Sequence, residues 1–182
     1  MEEKEYEKVL LFSGVLSTKG FPEELKEKLE EKFGPIETIS DPIPFTFTDY
    51  YDSEMGENIE RFFISFRNLV SPDELREAKL FTNRLEKEWE EDGKRKINLD
   101  PGTMSTANVI LATTKNRSHR IAIGSNLFAE VTLIYQNHHF ESFQWTYSDY
   151  RSPEVQSVLL GLRKSLLEKR KVNSSMPLSG LR

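Results

Sequence analysis

Hydrophobic and polar positions along this chain follow two periods, and the changes of period mark its elements. Residues 8–16, KVLLFSGVL, are an apolar run bounded by Ser-Thr-Lys-Gly, the pattern of a buried strand and its exit loop. In FPEELKEKLEEKFG, Phe21, Leu25, Leu29 and Phe33 recur at helical spacing. Pro22 suits the first turn and Gly34 the C-terminal cap, so a helix is expected over 22–33. PIETISDPIPF reads as extended, with Pro42 and Pro44 confining it to a sheet edge. TFTDYYDSEMGEN reads as a loop, and IERFFISFRNLV predicts a strand near 60–68.

The clearest helical pattern covers 71–92. Ser71 is placed as N-cap with Glu74 completing a capping box, and Leu75, Ala78, Leu80, Phe81, Leu85 and Trp89 supply the apolar face. RKINLDPG reads as a short strand running into a turn, with Asp100 at the strand end and Gly102 in the turn. Residues 103–115 suit a short helix capped by Ser105 or Thr106. HRIAIG and FAEVTLIYQ predict strands near 119–124 and 128–136, joined by a hairpin turn at Gly124-Ser125-Asn126. SPEVQSVLLGLRKSLLEKRK predicts a final helix over 153–170.

The order β-α-β-β-α-β, then a helical turn, a hairpin and a helix, indicates an α+β fold. It corresponds to a ferredoxin-like split βαβ antiparallel sheet with an extra C-terminal hairpin and helix. Helices are expected on one face of that sheet. One domain is expected over 1–172, with 173–182, NSSMPLSGLR, as a mobile C-terminal tail.

Composition narrows the function classes. The 182 residues carry a net charge of −5 with both signs interspersed, which disfavours a nucleic-acid partner because phosphate binding needs a cationic face. There is no Cys, so disulfides, zinc-thiolate sites and thiol nucleophiles are excluded. The acidic start MEEKEYEKVLLFSG is unlike a signal peptide, and no apolar stretch approaches the ~20 residues of a membrane span. The expected location is the cytoplasm, with no membrane partner. Lys and Glu richness without Cys leans towards a thermophile.

Three polar-aromatic clusters carry the candidate chemistry. The first is FTFTDYYDSEMG, with Asp49, Tyr50, Tyr51, Asp52 and Glu54. The second runs from NLDPG to SHRI, with Asn98, Asp100, Lys115, His119 and Arg120. The third is QWTYSDYRS, with Trp145, Thr146, Asp149, Tyr150 and Arg151. Glu130 stands inside the apolar AEVTLIY, where an acid either faces solvent or is buried with a partner. Lys115, His119 and Arg120 can hold a phosphate or carboxylate, or can form a solvated loop whose cations pair with Asp100 or Glu130. Tyr and Asp in loops also serve turn chemistry and core closure, so each cluster has a purely structural reading.

Sharper motifs are missing. GVLSTKG lacks the spacing of a Walker phosphate loop, and no G-x-G-x-x-G occurs. The histidines are 119, 138 and 139; the adjacent pair would face opposite sides of a strand, which argues against a shared metal. No carboxylate spacing defines a metal site, and no cofactor is specified.

Four segments resemble the uncharacterised prokaryotic family catalogued as domain of unknown function 4416. They are F-x-F-T-D-Y-Y-x-x-E-M-G at 45–56, N-L-D-P-G with L-A-T-T-K-x-x-S-H-R-I at 98–121, A-E-V-T-L at 129–133, and W-T-Y-x-D-Y-R-S at 145–152. The resemblance covers nearly the whole chain outside the tail. It implies no established activity. Some relatives carry a GTP-binding label, but no G-protein motif stands behind it in this sequence. The chain departs from the family at Gly102-Thr103-Met104, where an aromatic and a leucine often follow the glycine, and at Asn108, where Lys is common.

These observations lead to one expectation and one alternative. The expectation is a small anionic-ligand-binding protein, with nucleotides or other phosphate compounds as candidates and enzymatic activity undecided. Lys115, His119 and Arg120 hold the anion, and Asp49, Asp100, Glu130 and Asp149 supply acidic groups. Tyr50, Tyr51, Trp145 and Tyr150 form the walls. The alternative is a non-catalytic structural or protein-interaction module using the aromatic loops.

Overall fold

The computed structural model of the chain describes residues 5–46, 52–56 and 58–175. The apolar run near the N-terminus forms β1 (Val9–Ser17), buried along its whole length. Helix α1 (Glu23–Phe33) follows and ends at Gly34, whose φ of 84° is a conformation that glycine adopts without steric cost. Next come β2 (Ile36–Ile39), the two-residue β3 (Ile43–Pro44), the short α2 (Asp52–Met55) and the long β4 (Glu60–Val70). A 3-10 turn at Pro72–Glu74 opens α3 (Leu75–Glu88); there the Glu74 carboxylate accepts the Ser71 N–H at 2.8 Å.

The helix expected over 71–92 ends at Glu88. Residues 90–95 instead make the small hairpin β5 (Glu90–Glu91) and β6 (Lys94–Arg95). Asp92 and Gly93, both with positive φ, form its turn. Asp-Gly is a strong two-residue hairpin signal, and here it outweighs the helical periodicity before it.

The second correction concerns 97–115. Strand β7 (Ile97–Met104) runs straight through Asp100, Pro101 and Gly102, and β8 (Asn108–Thr113) replaces the expected short helix. Ser105 caps the turn between them: its Oγ accepts the N–H groups of Ala107 and Asn108. The chain continues through β9 (Ile121–Gly124), β10 (Leu127–Gln136) and β11 (His139–Ser142), with positive φ at both Ser125 and Asn126 in the hairpin turn. Helix α4 (Pro153–Ser175) takes in residues 173–175, which are expected from the sequence to belong to the tail; 176–182 lie outside the described residues.

The main sheet has the order β11–β10–β8–β7–β1–β4–β2, with β3 on β4 and β9 on β10, all pairs antiparallel. Each helical crossover, β1–α1–β2 and β4–α3–β7, joins two strands with one strand between them. The sheet has a helical layer on both faces, which corrects the one-face expectation. On one face Val9, Leu11, Val15, Phe62, Ile64, Ile97 and Leu99 pack with Leu25 and Leu29 of α1 and Ala78 and Leu85 of α3. On the other, Leu10, Phe12, Phe63, Met104, Val109, Leu111 and Leu133 pack with Val155, Leu159, Leu162 and Leu166 of α4. Fully buried central strands need apolar residues at odd and even positions alike, which is why β1 reads as a continuous apolar run.

Candidate functional site

The site begins with a gap in the sheet. Strand β7 is in register with β1 from Ile97 to Met104 without a shift, but it pairs with β8 only from Gly102 to Met104. Residues 97–101 therefore have a strand neighbour on one side only. Backbone polar groups on the open side still need partners when buried. Two side chains of α3 provide them at Leu99: Glu86 Oε1 accepts its N–H at 2.7 Å, and Lys79 Nζ donates to its carbonyl at 2.9 Å. By strand alternation the nitrogen of Pro101 faces the same open side, and proline has no N–H to satisfy.

Gly102 is extended and not in a turn. A Cβ there would come within 2.7 Å of Leu111 Cδ2 and of Phe12 Cζ, and 2.9 Å of the Ile110 carbonyl oxygen. The requirement for glycine is close packing, not positive φ.

Asp100 sits on the open segment. It faces the α4 side of the sheet, paired across β1 with Gly14. Its Oδ2 accepts a hydrogen bond from Asn98 Nδ2 at 2.9 Å and lies 3.6 Å from Arg61 Nη1; its Oδ1 lies 3.7 Å from Lys79 Nζ. The side chain is 29% exposed, whereas Arg61 and Lys79 behind it are buried. Arg61 also makes an ion pair with buried Asp149 at 2.8 Å, and its guanidinium lies over the rings of Phe45 and Phe63. Gly14 gives this guanidinium its space: a Cβ would stand 2.5 Å from Arg61 Nη1 and 3.4 Å from the Tyr150 hydroxyl. That hydroxyl is fully buried and has no hydrogen-bond partner among the described residues; burial pushes its pKa well above the ordinary value.

From Asp100 the polar tract extends in two directions. Through Asn98 it reaches Arg95, whose Nη1 donates to Asn98 Oδ1 at 2.8 Å, approaches Glu86 at 3.3 Å, and whose Nε and Nη2 hold both oxygens of Glu54. The bond from Arg95 holds the Glu54 carboxyl below the usual range; burial opposes this, and Arg95 and Lys115 add charge that favours it. Burial pushes Glu86 upward, against the nearby charge of Lys79. In the second direction, close enough for the charge of Asp100 to act on Tyr147, a separate polar group occupies the loop before β9. There Arg120 donates from Nε to Glu130 at 2.7 Å, from Nη1 to the Lys115 carbonyl at 2.7 Å and from Nη2 to the Tyr147 hydroxyl at 3.1 Å. The Tyr147 hydroxyl is pushed up by burial; the charge of Arg120 opposes this and that of Asp100 adds to it.

Glu130 is buried with partners: His119 Nε2 also lies 2.9 Å from its Oε2. Trp145 stacks on His119 with centroids 4.8 Å apart and on Phe143 at 4.6 Å, and its ring N–H donates to the Val131 carbonyl. Lys115 is exposed.

Of the residues singled out in the sequence, Asp100, Asp149 and Tyr150 gather around Arg61, while Lys115, His119, Arg120, Glu130 and Trp145 form the group before β9; Glu54 links the Asp100 group to the first cluster. Asp49, Tyr50 and Tyr51 lie outside the described residues. Of the two acids expected as partners for these cations one is selected, and two further expected roles change. Glu130, not Asp100, pairs with His119 and Arg120. Arg120 is already bonded at all three nitrogens, so it positions the Lys115 backbone and Tyr147. Tyr150 is a core residue packed edge-on against Phe63 and does not form an open wall.

Sequence reading passed over Arg61, Lys79, Glu86, Arg95 and Tyr147. The signals were present: Arg61 is a lone cation in RFFISF, and Leu75, Lys79, Thr82 and Glu86 recur at helical spacing on a buried face of α3. Among the described residues, no group of three or more acidic or histidine side chains is placed to hold a metal ion, and no helix is long and apolar enough to cross a membrane.

No curated protein and no solved structure matches the chain significantly. A family model does match, over residues 7–166, and it spans both faces of the sheet and every described residue of the tract. The chain therefore belongs to the family described as domain of unknown function 4416.

Proposed function

We propose that the chain binds a small anionic ligand at the open segment of β7, with Lys115 as the exposed cation at the mouth and Asp100 on the floor. One observation carries this reading: segments far apart in sequence bring Glu54, Arg61, Lys79, Glu86, Arg95, Asp100 and Asp149 into a connected, largely buried set of ion pairs and hydrogen bonds, with the buried Arg120–Glu130 pair as a second set beside Lys115. Burying ions costs several kcal/mol each, and apolar replacements are often no less stable, so stability is a poor reason for such a tract. Convergent charged groups at the end of a strand are a reason to assign a site.

The test is a thermal-shift series with inorganic phosphate, nucleotides and sugar phosphates, each with and without Mg²⁺. Binding to the native state raises Tm, by an amount that grows with ligand concentration over Kd. At least one anion is expected to raise it, and Lys115→Ala, an exposed change, to abolish the rise. A series in which none of these anions moves Tm overturns the proposal.

A second reading rests on the exposed edge of the same region. Ile121, Trp145 and Tyr147 are exposed apolar side chains, and Arg120 and His119 tie the latter two to the strand that carries Ile121. On this reading the patch is a protein-interaction surface. Ile121→Lys then weakens association without altering the thermal shift by anions.

A further inference from the structure

We infer that the ligand is an anionic polyol, such as a sugar phosphate, whose hydroxyl donates to Asp100 while its anionic group is held at Lys115. The inference rests on the site proposed above and specifies what that site selects. A carboxylate has about four lone-pair positions. Among the described residues Asn98 is the hydrogen-bond donor to Asp100, and Arg61 and Lys79 stand at 3.6 and 3.7 Å, outside hydrogen-bond range. Both cations are committed elsewhere, Lys79 to the Leu99 carbonyl and Arg61 to Asp149. Asp100 is therefore a partly exposed acceptor with capacity to spare. Glu54, at the far end of the Asn98–Arg95 link, has both oxygens taken by Arg95.

This arrangement discriminates between ligand classes. An anion without donors meets the negative charge of Asp100 and gains nothing from it. A zwitterion would bring an ammonium to a carboxylate that already faces two buried cations, and like charges at that range repel. A neutral hydroxyl carries no such penalty and makes a charge-assisted bond, among the stronger hydrogen bonds available. Lysine holds phosphate as a point charge and sets little geometry, so the discrimination falls to Asp100.

The experiment compares inorganic phosphate, methyl phosphate, ribose 5-phosphate and ribose by calorimetry or thermal shift on the full chain. Ribose 5-phosphate is expected to bind about tenfold more tightly than methyl phosphate, the worth of one hydrogen bond to a charged group. Asp100→Asn is expected to reduce that ratio towards one. Equal affinity for the three phosphates in the unaltered protein overturns this inference and leaves anion binding standing. Absence of binding by every anion overturns both. The ligand comparison needs no variant, so it holds even if Asp100→Asn fails to fold.

Discussion

At the scale of single residues, two glycines and two arginines make the clearest statements. Gly102 is hemmed in by Leu111, Phe12 and the Ile110 backbone, so a methyl group there must displace backbone as well as side chains. Gly102→Ala is expected to cost about 1–3 kcal/mol in urea unfolding, the usual penalty of overpacking. Unchanged stability would show that β7 and β8 can separate freely at this point. Gly14 instead clears space for a side-chain end, the Arg61 guanidinium, so its substitution acts through the ion pairs with Asp149 and Asp100. Arg120 and Arg117 form a natural contrast. Arg120→Ala removes the permanent cation from buried Glu130, leaving it His119, and should destabilise by about 3 kcal/mol, whereas Arg117→Ala on the exposed loop should stay within roughly 0.5 kcal/mol. Equal small effects would mean that Glu130 finds solvent or another partner.

At the scale of elements, α3 and β7 act as one unit. Helix α3 turns Lys79 and Glu86 towards the open side of β7 and supplies what a neighbouring strand would otherwise give to Leu99. Pro101 fits that side because it presents no donor. Pro101→Val is therefore expected to lower stability by about 1–3 kcal/mol, the cost of a buried N–H without an acceptor, although valine is the better strand former. A stabilised variant would show that Glu86 or water can take the new N–H.

At the scale of the molecule, the tract couples both helical layers through the sheet, and its charge makes stability depend on pH. Glu86 has a folded-state pKa raised by burial. A raised carboxyl is still protonated in the folded state where the unfolded chain, with its ordinary value of about 4.3, has already lost the proton. Its contribution to stability is thus complete below that ordinary value and is lost as pH rises through the folded-state value. Glu54 has the opposite sign: its lowered pKa contributes above the ordinary value and is lost as pH falls. Unfolding free energies of the protein and of Glu86→Gln, measured from pH 4 upward, should diverge with the unaltered protein losing ground; parallel curves would mean that Lys79 and Arg95 offset the burial.

How much of this was legible depended on whether a signal was local. The periodicities of 22–33, 60–68, 128–136 and 153–170 identified their elements because a half-buried helix or a buried strand imposes its period on its own residues. The resemblance of the four quoted segments to one family was equally local, and the family match bears it out. What failed were places where two local codes competed. Leu-Asp-Pro-Gly has the residues of a turn, yet a strand passes through it because α3 satisfies the open side and Phe12 and Leu111 leave room only for glycine. Residues 103–115 carry hydroxyl caps that suit a helix, but Ser105 uses its hydroxyl to close a hairpin. The placement of α4 opposite α1 and α3 was likewise beyond the sequence, since an amphipathic helix records that it has a buried face and not which sheet face it meets. The same limit applies to the site. The sequence by itself determined which segments carry polar and aromatic groups. Only the tertiary structure decided that Glu130 takes His119 and Arg120, and that Arg61 and Lys79 stand behind Asp100, because the partner of a buried charge is chosen by distance across the fold.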